Sequence, residues 1–263
     1  MDLVSIVMPS YNSDQFIEQS IYSVIGQSYT NWELLVCDDG STDNTMQILK
    51  SLMVYEPRIK ILQNKFAKGA AGARNSCIEI AVGRFIAFLD SDDLWHSEKL
   101  EKQISFMNSN NYSFSHTWYS VFQQTGDKIY LLDTVRWQEK YSYKQILRSG
   151  RIGCLTVMYD VRQLGKCYMP NINKRQDLAL WLNILKSTEY IWCLQEDLAK
   201  YRKVPGSISS DKWSLIKFHW LIFRNLQNLG RLRSMYYLIT YLTYFFLRKL
   251  PKLMKVLIPK KSF

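Results

Sequence analysis

Within the first 95 residues, short apolar runs alternate with stretches of helical periodicity, strand to helix, until a fourth strand is reached. Leu3–Met8 is an apolar run ended by Pro9. In Asp14–Gln27, Phe16, Ile17, Ile21, Val24 and Ile25 recur at helical spacing and Gly26 closes the segment. Trp32–Cys37 predicts a second strand, and a helix follows through about Met53, with Asp43 in its first turn. Arg58–Leu62 predicts a third strand, Gly69–Val82 a glycine- and alanine-rich helix, and Phe85 begins the fourth strand. Such alternation demands a parallel sheet with right-handed crossovers, because only that arrangement packs each helix back on the sheet.

Three of the four strands end in polar clusters: Pro9-Ser10-Tyr11-Asn12, Asp38-Asp39, and Asp90-Ser91-Asp92-Asp93. Parallel strands bring their carboxyl ends to one edge, and ligands of open α/β sheets bind there. Three acids within four residues repel one another unless a cation sits among them. The Asp-x-Asp spacing suits Mg²⁺ or Mn²⁺, which take oxygen ligands and keep positions open for phosphates. An EF-hand reading fits poorly, since Trp95 stands where that loop needs glycine. A solvated acidic loop remains an alternative at this point.

Composition narrows the partners. The net charge of +11 lies wholly in the last fifth of the chain: all 23 acidic residues fall at or before Asp211, where 23 basic residues balance them, and eleven basic residues follow. A neutral domain with a basic, apolar tail points to an anionic surface rather than nucleic acid. The run Met235–Leu247 is too short to span a bilayer and suits the interface plane, and Pro251 and Pro259 are expected to break the tail into short helices. The other reading is a helix packed on the domain with a solvated charge run. The first residues carry no signal-peptide pattern, and five scattered cysteines predict reduced, mostly buried thiols without zinc.

The middle of the chain is less regular. Helices are expected at Glu98–Asn108, Tyr143–Arg148 and Arg175–Lys186, the last with Leu178, Trp181, Leu182 and Leu185 on one face. Strands are expected at Tyr112–Phe122 and Lys128–Leu132, antiparallel, and at Cys154–Tyr159 and Leu198–Tyr201. Asp38-Asp39 could hold a base or ribose hydroxyls, or could serve as a loop and cap cluster. Gly69-Ala70-Ala71-Gly72-Ala73-Arg74-Asn75 lacks both common phosphate-loop patterns, yet Arg74 could meet a diphosphate. Asp177, at a helix start, could act as a general base or as a simple cap.

Taken in order, Val7–Asn12, Asp38–Asp43, Gly72–Asn75, Phe88–Asp93 and Gln176–Trp181 resemble the family 2 glycosyltransferases of GT-A fold. The resemblance implies an α/β fold: a Rossmann-like, mostly parallel sheet flanked by helices, followed by an amphipathic tail. It divides the chain into a catalytic domain over 1–205, with a nucleotide-binding half at 1–95 and an acceptor-binding half at 96–205, and a membrane-associating tail at 206–263.

It also implies roles. Pro9, Tyr11 and Asp39 match a nucleoside pocket, and Arg74 a position near the nucleotide. Asp90 matches the ribose-side acid, Asp92 the ligand of Mn²⁺ or Mg²⁺, and Asp177 the base. Gln176 stands where the family usually has Glu. The implied reaction is inverting transfer of a hexose from a UDP-sugar, forming a β-glycoside. The implied acceptor is a lipid-diphosphate-linked sugar in O-antigen or capsule assembly, at the inner face of the cell membrane. A nucleotidyltransferase and a non-catalytic nucleotide-sugar-binding module are the competing readings.

Overall fold

A computed structural model of the chain describes residues 1–126, 128–150, 152–204 and 212–257. The expected alternation is present as β1 (Val4–Ser10), α1 (Ile17–Ile25), β2 (Trp32–Asp38), α2 (Thr45–Tyr55), β3 (Ile59–Gln63), α3 (Ala70–Ile80) and β4 (Phe85–Phe88). β3, β2, β1 and β4 lie side by side in that order, all parallel, with Val7 opposite Leu35 on one flank and Phe88 on the other. β1 is buried on both faces. Ile6 and Met8 join one core with α1 and α2, and Val7 joins the other with α3. Each such side chain contributes about 1.5–3 kcal/mol on burial, which is why these strands are continuous apolar runs.

The second half extends the same sheet. β5 (Leu94–Trp95), α4 (Lys99–Asn110), β6 (Phe114–Thr125), β7 (Lys128–Val135), β8 (Lys140–Ser142) and α5 (Tyr143–Ser149) precede a 3-10 turn at Cys154–Thr156. β9 (Met158–Asp160), α6 (Val161–Leu164), α7 (Gln176–Ile184) and β10 (Tyr190–Arg202) follow. The ten-stranded sheet runs β3-β2-β1-β4-β9-β6-β10-β5, with β7 on β6 and β8 on β10. β9 is antiparallel to both β4 and β6, so β6 and β10 return to the direction of β4.

Several expectations are corrected. The strand expected over Cys154–Tyr159 is a 3-10 turn followed by a short β9, because the Thr156 N–H bonds back to the Gly153 carbonyl (3.0 Å). The end expected at Leu198–Tyr201 belongs to a strand of 13 residues. Asp43 lies before α2 rather than in its first turn; Oδ1 accepts from the Thr45 N–H (3.0 Å), and Oδ2 accepts from the Asp14 N–H (3.1 Å).

The C-terminal part forms α8 (Lys212–Leu221), a π turn at Ile222–Leu226 and α9 (Arg231–Leu257). Helix α9 passes through Pro251, where a break was expected; a proline forfeits one backbone bond and strains the preceding turn without necessarily ending the helix. Pro259 lies outside the described residues. One side of α9 packs on the domain: the buried Tyr241 stacks on His219 with ring centroids 3.9 Å apart. Leu232, Met235, Tyr236, Ile239 and Leu247 are at least half exposed along another side. No helix among the described residues is long and apolar enough to cross a membrane. The five cysteines are free, and four of them are buried.

Candidate active site

The polar strand ends do converge on one edge of the sheet. Asp38 and Asp39, adjacent in sequence, do different things. Asp38 folds onto its own loop, accepting from the Gly40 N–H (3.1 Å), the Ser41 N–H (3.0 Å) and the Ser41 hydroxyl. Asp39 is held from α3's side: Asn64 Nδ2 donates to Oδ1 (2.6 Å) and the Gly69 N–H to Oδ2 (2.7 Å). Gly69 has φ +115°, a backbone that L side chains rarely adopt. At Gly72 a Cβ would stand 1.9 Å from the Ala67 carbonyl oxygen, so α3 can start this close to its loop only with glycine there.

The loop after β1 is tied to the loop after β2. Asn12, left-handed at φ 46°, accepts from the Thr42 N–H at 2.8 Å, and its own N–H donates to Ser41 Oγ at 2.9 Å. This leaves the Tyr11 ring half exposed, with the Lys68 ammonium 5.5 Å from its centroid. Pro9 is buried within β1 in register with Cys37, so it shapes the strand end more than it presents a side chain.

The three acids after β4 separate. Asp90 accepts from the buried Arg74 guanidinium. Burial alone would lower the Arg74 pKa; Asp90, and further off Cys154 and Asp177, hold it above its usual value. Asp93 turns inward, and its Oδ1 accepts from the Arg202 N–H (2.8 Å). Asp92 lies between them, pushed up to about 6 by burial first and by the charge of Asp90 second. An anion so poorly compensated fits a divalent cation. Among the described residues no three His, Cys, Asp or Glu side chains converge as a cage. Asp92 would therefore share the ion with substrate phosphates and water, the usual habit of Mg²⁺.

Arg202 is the residue that sequence reasoning missed. Its Nε donates to the Asp92 carbonyl (2.7 Å), and its two Nη groups donate to Gln124 and to Gln19 Oε1. The guanidinium lies 4.7 Å from the Phe16 ring and 4.6 Å from that of Phe122. It thus fastens the acid loop to α1, β6 and β10 together. Asn64 and Lys68 were also missed. None of the three belongs to a local pattern; each acts across a long sequence separation.

Asp177 occupies the first turn of α7, partly exposed. Two contacts position it. Trp181, one turn on, packs edge-on against Phe88 of β4 (5.4 Å between centroids). Asn75 of α3 exchanges two hydrogen bonds with the Met169 backbone, at 2.8 and 2.9 Å, pinning the chain that leads into α7. Leu178, Trp181, Leu182 and Leu185 are all buried, the face expected from their spacing. Arg175, just before α7, takes the left-handed φ of 64°. The site therefore gathers Asp39, the Arg74–Asp90 pair, the partly buried Asp92 carboxylate and Asp177 from another helix.

The family model for Glycosyl transferase family 2 matches residues 5–161. The chain is a family 2 glycosyltransferase. Two bacterial relatives align along nearly the whole glycosyltransferase. A putative teichuronic acid biosynthesis glycosyltransferase, TuaG of Bacillus subtilis, is 42% identical over 91% of this chain and 94% of its own. WfgD of Escherichia coli, a UDP-Glc:alpha-D-GlcNAc-diphosphoundecaprenol beta-1,3-glucosyltransferase, is 44% identical over 91% and 92%. Among solved structures, S. aureus TarS 1-349 in complex with UDP-GlcNAc superposes with a TM-score of 0.70. It is 21% identical over 94% of this chain and 73% of that one. At that identity the likeness concerns the fold, which is the GT-A arrangement expected from the sequence.

Proposed function

We propose that this glycosyltransferase moves a hexose, glucose or galactose, from a UDP-sugar to a polyprenyl-diphosphate-linked GlcNAc or GalNAc, forming a β-glycosidic bond. The observation that carries the reading is the placement of Asp177, on a separate helix, as an electrostatic neighbour of the Arg74–Asp90 pair. A base and a nucleotide-side cluster then serve one substrate between them. Glucose as one of the two candidate sugars is supported by the relative WfgD, whose donor is UDP-Glc and whose acceptor is a GlcNAc-diphosphoundecaprenol.

The chemistry follows from this chain's residues. Asp39 accepts a hydrogen bond from the base, beside the exposed Tyr11 ring. Arg74 holds Asp90 oriented toward the ribose. Asp177 removes the proton from the acceptor hydroxyl, and that oxygen attacks the anomeric carbon from the face opposite the diphosphate. Displacement in one step inverts the anomeric centre, and no second nucleophilic carboxylate is needed. A divalent ion bound at Asp92, Mg²⁺ or Mn²⁺, would offset the charge of the departing diphosphate. Gln176 in place of Glu leaves the base intact and offers an amide to the acceptor.

The catalytic unit is 1–205 in this reading, and the tail at 206–263 holds the enzyme at a membrane surface. The half-exposed side chains of α9 and the tail's eleven basic residues suit an anionic leaflet. The deciding experiment is a screen of labelled UDP-sugars against a short polyprenyl-diphosphate-GlcNAc analogue, with the linkage determined by NMR. Transfer from UDP-glucose or UDP-galactose with an inverted, β-linked product is expected. Transfer from no UDP-sugar, or a retained α-linkage, would overturn the reading.

A further inference from the structure

A second concavity lies away from the acid loop, against the edge of β10 between its partners β8 and β5, with a volume of about 330 Å³. That is the lower end of small-molecule sites, about 300–1,000 Å³. Trp118, Thr134, Arg136, Gln195, Asp197 and His96 are among its walls. Asp197 precedes Arg202 by five residues on β10, and none of Asp90, Asp92, Asp93 and Arg202 lines the cavity.

Four features give it chemical character. The register of β10 against β6 shifts on both sides of Asp197, and such irregularities re-aim a side chain. Asp197 Oδ2 accepts from the Ser120 hydroxyl, while Oδ1 is buried and has no hydrogen-bond donor among the described residues. The Trp118 indole is fixed, its Nε1 donating to the Trp137 carbonyl (3.0 Å), and the Arg136 guanidinium stands 5.7 Å from its ring. Gln195 Nε2 donates to the same carbonyl (3.2 Å), which leaves the amide oxygen available as an acceptor.

We propose that this cavity is a second binding site for a neutral saccharide, distinct from the catalytic cleft. The indole offers an apolar platform to the C–H face of a pyranose ring. The Arg136 guanidinium and the Gln195 amide reach hydroxyls at its rim. The charged walls nearly balance, Arg136 and Lys102 against Glu98, Glu196 and Asp197, which disfavours a polyanion. Too few apolar side chains are present for a lipid. This inference goes beyond the transfer reaction and does not depend on it.

The test is saturation-transfer NMR on the full chain with cellobiose, lactose and chitobiose, each with and without saturating UDP. At least one disaccharide should bind with UDP present, and Asp177→Asn should leave that binding unchanged. Arg136→Ala combined with Gln195→Ala, both at exposed positions, should weaken it about two- to tenfold per lost hydrogen bond. No saccharide binding, displacement by UDP, or indifference to the exposed double variant would overturn the proposal. Transfer to a short acceptor should survive the double variant, so this proposal and the transferase reading fail separately.

Discussion

Arg74 donates to Asp90 with its guanidinium almost covered while the carboxylate keeps about a third of its surface, 7% against 30% side-chain exposure. The arginine is therefore the deeper partner, and its charge is committed to the acid loop. Arg74→Met should destabilise the fold by about 2 kcal/mol, less than a fully buried pair loses, because Asp90 can rehydrate. It should also weaken UDP binding. Urea midpoints and UDP titration check both; an unchanged UDP affinity would remove Arg74 from the donor site.

Among the described residues the Asp92 side chain holds no other residue by a hydrogen bond or ion pair, so Asp92→Ala should leave the circular dichroism spectrum unchanged. Transfer should fall on the order of 10²–10³-fold, the usual loss when a group stabilising developing charge is removed. Adding EDTA to the natural protein should have the same effect. Full activity in EDTA would contradict the role given to Asp92.

Asp177→Asn keeps the size and most of the packing of the first turn of α7. UDP affinity should be retained and turnover should fall by about 10²–10⁴-fold, the range for a lost general base. Near-normal turnover in this variant would exclude Asp177 as the base.

His116 is fully buried beside Trp137 and Tyr141, with no well-formed hydrogen bond to either ring nitrogen among the described residues. Burial pushes its pKa down to about 3, from an ordinary 6.5, the Thr117 backbone offsetting this slightly. Below 6.5 the unfolded chain binds a proton that the folded one refuses, so stability declines as pH falls from 6.5 toward 3. His116→Leu should flatten that decline, and thermal melts at pH 5 and pH 8 would report it. An equal pH dependence in both proteins would show that other groups set the acid limit.

Leu232 and Ile239 project from α9 with 86% and 57% exposure. Leu232→Glu and Ile239→Glu should each weaken sedimentation with anionic vesicles about tenfold, given roughly 1.5–3 kcal/mol per apolar side chain covered. Truncation after about Gly230 should abolish it. Unchanged sedimentation of the truncated chain would refute the anchoring role of the tail.

Much of the first 95 residues could be read from the chain because the signals there are local. Val4–Ser10 and Trp32–Asp38 are apolar runs with acids or hydroxyls at their ends, and their helices carry regular apolar faces. What escaped was set by distance. β5 has two residues and exists because Ala199 and Lys200 pair with it. Arg202 is one basic residue at a strand end, and its meaning appears only beside Asp92 and Asp93. Residue type alone does not separate Asp38 from Asp39; in the fold Asp38 closes its own loop, while Asn64 and Gly69 hold Asp39. Pro251 would break an isolated helix, and here the helix persists.

The grip of Arg202 on Asp93 also has a consequence for synthesis. The acid loop and its fastener are separated by 109 positions. A nascent chain carrying Asp90, Asp92 and Asp93 has therefore emerged long before the residue that steadies them. Closing a contact of that span is entropically slow. Until β10 arrives, the carboxylates repel one another in an unfastened loop. A fragment ending at residue 161, where the match to the family model ends, would hold Asp90, Asp92 and Asp93 and lack the clamp. Competence to bind the donor should thus appear late and abruptly during translation, at the completion of the last strand.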